Sequence, residues 1–208
     1  MSIFLLTMSE YNRIYQVVHG VIKEDGNPER GCTLFAIIGS LILNKHFGIG
    51  SRPVAGAFVM CVEPGKNMFY GRDGGGKIEF DENDFHMWVQ TETHIIDFMA
   101  PLYQEAFANV QSEIVIPRKM FQKKRARECH RIDDLVQPGD FITFPDPELS
   151  ENLTDRILSR PINTDIIQIA ECWYGGRRTK QKPTMMMGSN DGIVRNLSLP
   201  DTTARGAW

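Results

Sequence analysis

Residues Glu29 to Gly48, ERGCTLFAIIGSLILNKHFG, constrain the fold more than any other stretch. After Cys32 the apolar residues Leu34, Phe35, Ala36, Ile37, Ile38, Leu41, Ile42 and Leu43 leave no wide polar face, and in a soluble protein such a helix is buried nearly all round. The stretch reads as one helix at the centre of a core. Lys45, His46 and Gly48 suit its end, where cations meet the negative pole of the dipole and glycine takes the left-handed cap. At its start Gly31 precedes Cys32, so a thiol stands where unsatisfied backbone N–H groups and the positive pole favour a thiolate. Cys32 is a candidate nucleophile.

The remaining chain has to cover that helix. With 208 residues, 42% of them hydrophobic, it has material for one domain over 1–208, with a core over about 9–174 and an irregular tail over 175–208. Met8 to about Glu24 repeats apolar residues at helical spacing, with Ser9 as its N-cap and Asp25-Gly26 as its stop. VAGAFVMCVE and MFYG, joined by PGKN, read as two antiparallel strands. Asp73 to Gly76 is a turn, and Phe85–Gln90 and His94–Phe98 are two further strands joined by TET. A short helix over Pro101–Val110, strands over Ser112–Pro117 and Gly139–Pro145, and a helix over Glu148–Arg160 capped near Ser150 follow. Asp165–Tyr174 leans to strand on its isoleucines and aromatics. The class is α+β, a buried central helix against an antiparallel sheet.

Charge and cysteine usage narrow the function. With 23 basic and 26 acidic residues the net charge is −3, which recommends neither nucleic acid nor an anionic membrane as partner. Arg118–Arg131, RKMFQKKRARECHR, reads as a solvated helix or loop face, the other reading being a contact surface for an acidic partner. No apolar run approaches the length of about 20 residues that spans a bilayer, and MSIFLLTMSEYNR lacks the features of a signal peptide, so a cytoplasmic protein is expected. Cys32, Cys61, Cys129 and Cys172 form no CxxC pair, which argues against structural zinc, and disulfides are not expected in a reducing compartment. No cofactor is expected, and the oligomeric state is left open.

A cysteine nucleophile needs a base, and the base needs a group to hold its tautomer. His86 lies in DFHMWVQ, where strand alternation puts it on one face with Trp88, whose indole would wall the imidazole from water. Asp97, in HIIDF, follows by 11 positions, within reach of His86 if the two strands pair antiparallel. His94 competes as base but stands three residues from Asp97, on the opposite strand face. In Cys129-His130, neighbouring in sequence, the side chains diverge. A metal-dependent hydrolase using His86, His94 and Asp97 is an alternative that requires a bound metal.

A cysteine opening a buried helix, then a strand with HxWV and a next strand with IID, resembles the papain-like cysteine hydrolase superfamily. Within it the likeness is to the transglutaminase-like and arylamine N-acetyltransferase-like branches, and more narrowly to an uncharacterised bacterial family of papain-like fold. It covers about residues 27 to 100. The resemblance implies Cys32 as nucleophile, His86 as general base and acid, Asp97 as orienting carboxylate, and a peptide or small acyl or amide substrate. Gly26 and Thr33 stand where papain has its upstream glutamine and its following tryptophan, which points away from a generic endopeptidase. The oxyanion hole then falls to the Cys32 N–H beside Gly31, with Asn27 as a weaker second donor and Trp88 as a wall of the site. The rival reading is a binding or scaffold protein that keeps the fold without catalysis and uses the basic 118–131 segment.

Overall fold

The computed structural model describes residues 4–24, 26–75, 77–108, 114–188, 192 and 194–208. Asp25, Gly76, Val110 and the start of the strand expected at Ser112 lie outside them, and Ile114–Pro117 is not a strand.

Helix α1, Met8–Ile22, is capped by Thr7, two residues before the expected Ser9. The Thr7 hydroxyl accepts from the Glu10 N–H at 3.2 Å while the Glu10 carboxylate accepts from the Thr7 N–H at 2.9 Å, so two end donors are satisfied reciprocally. A 3-10 turn at Pro28–Arg30 leads to α2, Cys32–Ile42, with Gly31 as its N-cap. The single helix expected over Glu29–Gly48 is therefore three segments, because α2 widens into a π-helical turn at Leu43–Phe47 that Gly48 closes at φ 65°. The burial expected of its centre is observed: Phe35, Ile38, Ile42 and Leu43 are fully buried.

Strand β1 is Ser51–Glu63, β2 is Lys66–Tyr70, and a small hairpin is made by β3, Arg72–Asp73, and β4, Ile78–Glu79. Then come β5, His86–Thr91, β6, His94–Asp97, and the helix α3, Tyr103–Phe107. Strand β7, Phe121–Lys124, and β8, Phe141–Asp146, complete the main sheet. The basic stretch read as a solvated face is thus partly a sheet strand. Phe121 and Gln122 are buried in it, Arg118 is tied to Glu105 and to the Pro101 carbonyl, and Arg125 donates to the Glu92 carbonyl.

Strand β1 is long enough to serve two partners on one edge. Ser51–Gly56 pairs antiparallel with β5, and from Phe58 onward the strand pairs with β2. Along its opposite edge Ala55–Met60 pairs with β8. At the handover the backbones crowd: a Cβ on Gly56 would come 1.9 Å from the Phe144 carbonyl oxygen, so only glycine fits. Alternation then divides the sheet. Val54, Phe58, Met60 and Val62 face the main core under the helices, while Val59 and Cys61 face a small second core with Leu135 and Ile142.

Helix α2 packs on β1 and β5 at short range, since a Cβ on Gly39 would sit 2.4 Å from the Phe98 ring and 3.2 Å from Val89 of β5. Helix α4, Pro147–Leu158, is capped by Asp146, whose side chain accepts from the Leu149 N–H at 3.0 Å, rather than by Ser150. Ser150 instead accepts from the Ala55 N–H at 2.8 Å and ties the helix to β1. Asp165–Tyr174 is helix, not strand: it belongs to α5, Pro161–Tyr174. Ile166, Ile167, Ala170, Trp173 and Tyr174 recur on one helical face against α1 and α2, and Pro161 at the first turn costs no hydrogen bond. The tail carries β9, Thr184–Gly188, paired with β10, Val194–Ser198. Met187 and Leu197 are its buried anchors, and Ala204 N–H donates to Asn12 of α1 at 2.8 Å.

Candidate active site

Each of the three residues picked out for chemistry is positioned by a separate element. Cys32 is the first residue of α2, with Gly31 supplying no side-chain cap, so the first-turn N–H groups have no intrahelical acceptor. Its side chain is 8% exposed, and its sulfur lies 4.0 Å from Thr33 Oγ1. His86 opens β5 opposite Gly56, and Asp97 closes β6. Continuing the Val89–Ile96 register puts Asp97 opposite Trp88, hence diagonal to His86 on the same face.

His86 and Asp97 meet. The His86 Nε2–H donates to Asp97 Oδ2 at 2.6 Å, with the two side chains 0% and 1% exposed. Two further donors converge on the carboxylate: Met99 N–H at 2.8 Å on Oδ1, and the Tyr103 hydroxyl on Oδ2. From the other side the Tyr11 hydroxyl of α1 donates to the Asp97 carbonyl. A buried carboxylate with three donors is held in one orientation and in turn fixes the imidazole.

Burial alone would lower the His86 pKa. The charge and hydrogen bond of Asp97 outweigh it, the neighbouring Cys32 thiol adds to the upward effect, and the pKa is raised to about 9. Nδ1, the other ring nitrogen, is buried and makes no hydrogen bond of regular geometry among the described residues. Cys32 is thus near enough to raise the ring's pKa by both a hydrogen-bonding and a charge contribution, although the Nδ1 to Sγ contact falls short of regular hydrogen-bond geometry. With Nε2 committed to a carboxylate, Nδ1 is the nitrogen left to exchange a proton with the thiol.

Aromatic rings enclose the imidazole. Tyr70 stacks on it at 4.0 Å between centroids and 16° between planes, and Phe58 lies at 5.5 Å. Trp88, on the same face, is fully buried and packs on Phe58 at 6.3 Å, so it is a core wall rather than a substrate contact. Asn27 is exposed on the 3-10 turn and makes no side-chain cap. Tyr70, Tyr103 and Tyr11 escaped the reading of the sequence, because their partners, 86 residues away for Tyr11 and only six for Tyr103, are chosen by packing between elements that no local pattern marks.

The other candidates are not gathered here. His94 Nδ1 is 2.8 Å from Thr93 Oγ1, and among the described residues no three His, Cys, Asp or Glu side chains are arranged to hold a metal ion. Cys61 and Cys129 bind the Glu63 and Asp134 carbonyls at 3.1 and 3.7 Å, and burial pushes both thiols above their ordinary pKa. Cys172 is exposed on α5. Two roomy clefts lie elsewhere: about 500 Å³ between Arg52, Gln90 and Ser150, and about 600 Å³ between Trp173, Lys182 and Met186. We rank the Cys32 corner above them as a site of chemistry because it alone among these three places couples a thiol to a buried, oriented imidazole. Among the described residues no helix is long and apolar enough to cross a membrane.

Comparison with known proteins places the chain in a family. Residues 7–208 match the family model described as "Protein of unknown function (DUF2026)", and no curated protein matches. The chain is also similar to a solved structure described as "The crystal structure of genomics APC5867", at 26% identity and a TM-score of 0.85, over 100% of this chain and 99% of that one. The likeness agrees with a mixed α+β fold around a curled antiparallel sheet. The chain belongs to the DUF2026 family.

Proposed function

We propose that this member of the DUF2026 family is a cysteine hydrolase or acyltransferase of papain-like fold, acting on an amide, peptide-like or thioester bond. The observation that carries the reading is the buried His86–Asp97 pair, at 2.6 Å, beside a thiol on the first turn of a helix. With the proton held at His86 Nδ1 as the imidazolium, the Cys32 thiolate attacks the acyl carbon. The oxyanion that forms is met by the Cys32 N–H at the positive end of α2. As the tetrahedral species collapses, the imidazolium returns its proton to the leaving group, and a thioester remains on Cys32. A water or an amine, deprotonated by His86, then attacks the thioester and releases the thiol. Asp97 keeps its negative charge throughout and stabilises the imidazolium.

The papain-like assignment rests on the same residues: a nucleophile opening a buried helix, and base and carboxylate on adjacent strands. A competing reading, a binding protein without catalysis, draws on the narrow access to Cys32, which is only 8% exposed. Alkylation separates the two. At about pH 6, iodoacetamide should modify Cys32 faster than Cys61, Cys129 and Cys172, because an imidazole positioned to hold the thiol's proton makes it the better nucleophile. Peptide mass spectrometry reads the four rates. If Cys32 is no faster than the exposed Cys172, or if His86→Ala leaves its rate unchanged, the thiol chemistry is lost and the binding reading stands.

A further inference from the structure

We infer that the Tyr70 hydroxyl is the second oxyanion donor of the Cys32 site, in the place where Asn27 was expected; the inference rests on the thiol chemistry proposed above. It follows first from the sheet. Because β1 hands one edge from β5 to β2, the last residue of β2 and the first residue of β5 become neighbours: Tyr70 pairs with Phe58 and His86 pairs with Gly56, two residues apart on one strand face. Tyr70 therefore lies on the base itself, ring on ring at 4.0 Å, while Phe107 of α3 braces its other side at 4.8 Å.

The second observation is the hydroxyl. It is buried and among the described residues has no hydrogen-bond partner, although the tyrosine as a whole is partly exposed. A buried donor without an acceptor is unfavourable and is normally removed or satisfied. The other two tyrosines near the pair are both engaged, Tyr103 with the Asp97 carboxylate and Tyr11 with its carbonyl. Burial first, then the charge of Asp97 and the nearness of Cys32, push the Tyr70 pKa well above its ordinary value. The phenol therefore stays protonated, a donor carried by a ring stacked on the base. A donor idle in the free protein and engaged only when an oxyanion forms stabilises the transition state more than the ground state. Trp88 Nε1 is also unpartnered, but that side chain is wholly buried and offers no face to a substrate.

The test is Tyr70→Phe, which keeps the stack and removes one oxygen. Two reagents are compared on the whole chain: p-nitrophenyl acetate, whose attack on Cys32 passes through an oxyanion, and iodoacetamide, whose displacement does not. Acylation of Cys32 should fall by about tenfold or more, as on loss of an oxyanion donor, while alkylation changes by less than about twofold. The thermal midpoint should hold or rise, since an unsatisfied group has been deleted. Acylation within about twofold of wild type, or both rates falling in proportion, overturns the assignment. A wild-type Cys32 that alkylates no faster than Cys172 overturns the thiol reading instead, and this inference with it.

Discussion

His86 and Asp97 are joined between β5 and β6 by a 2.6 Å hydrogen bond from which water is excluded on both sides. The bond sets the tautomer of the imidazole, leaves Nδ1 free, and gives the ring a pKa that burial alone would have driven the other way. Four predictions follow from it and from the sheet that carries it.

Asp97→Asn removes the charge but keeps the shape. Burial is then the largest influence on the ring, so the His86 pKa should drop from about 9 to below the ordinary value of about 6.5. Proton NMR of the His86 ring, followed through a pH titration, reads this directly. Cys32 alkylation near neutral pH should slow by at least about a hundredfold, below the roughly 10⁴-fold loss of turnover that follows when a triad carboxylate becomes an amide. A pKa that stays near its wild-type value would mean that Asp97 does not hold the charge.

The same pair makes stability depend on pH. The folded pKa of His86 lies above its unfolded value, so its contribution is complete below about pH 6.5 and is lost as the pH rises through about 9. The ceiling on that loss is about 3 kcal/mol. Urea denaturation across this window should show the decline, and Asp97→Asn should flatten it. Stability that is level or rises with pH in wild type contradicts the pairing.

Tyr103→Phe deletes one of the three donors on the Asp97 carboxylate and leaves His86 and Met99 N–H in place. A hydrogen bond to a charged, buried acceptor is worth about 1.5–3 kcal/mol, and the unfolding free energy from urea denaturation should fall by that amount. Cys32 alkylation should slow less than in Asp97→Asn, because the imidazole keeps its partner. Equal slowing in the two variants would assign the orientation of the pair to Tyr103.

Glycines on β1 and just before it separate steric from conformational need. Gly56→Ala drives a Cβ into the Phe144 carbonyl at 1.9 Å and should cost more than about 3 kcal/mol or abolish folding, since both strands would have to move. Gly48→Ala meets nothing within 4 Å but takes φ 65°, so about 1 kcal/mol is expected. Gly50→Ala meets nothing and needs no special φ, so it should stay within about 0.5 kcal/mol. Thermal melts of the three, ranked otherwise, would refute the handover geometry at Gly56.

Much of the local structure could be read from residue order. The apolar wrap after Cys32 marks a buried helix and Gly31 marks its start, because burial and helix-end chemistry act within a few residues. The alternation around His86 and the 11-residue step to Asp97 mark two adjacent strands, and the pair did form. The errors fall where local pattern is ambiguous. Asp165–Tyr174 carries strand-favouring residues, yet its apolar face is decided by α1 and α2, against which only a helix can lay Trp173 and Ala170 together. Likewise the charges of 118–131 hid a strand, since Phe121 and Gln122 are buried by β6 and by the chain ahead of α1, far away in sequence.

Residue order by itself determined that Cys32 would open a core helix and that His86 and Asp97 would lie on neighbouring strands. Only the tertiary structure decided which groups complete the site. Tyr70 reaches His86 because β1 changes partners at Gly56, and Tyr103 and Tyr11 reach Asp97 from helices on either side of it. Asn27, close to Cys32 along the chain, stays exposed on its turn. The physical reason is one of range: helix ends and strand alternation are set by neighbours within a turn or two, whereas a hydrogen-bond partner is set by packing between elements that the order of residues does not record.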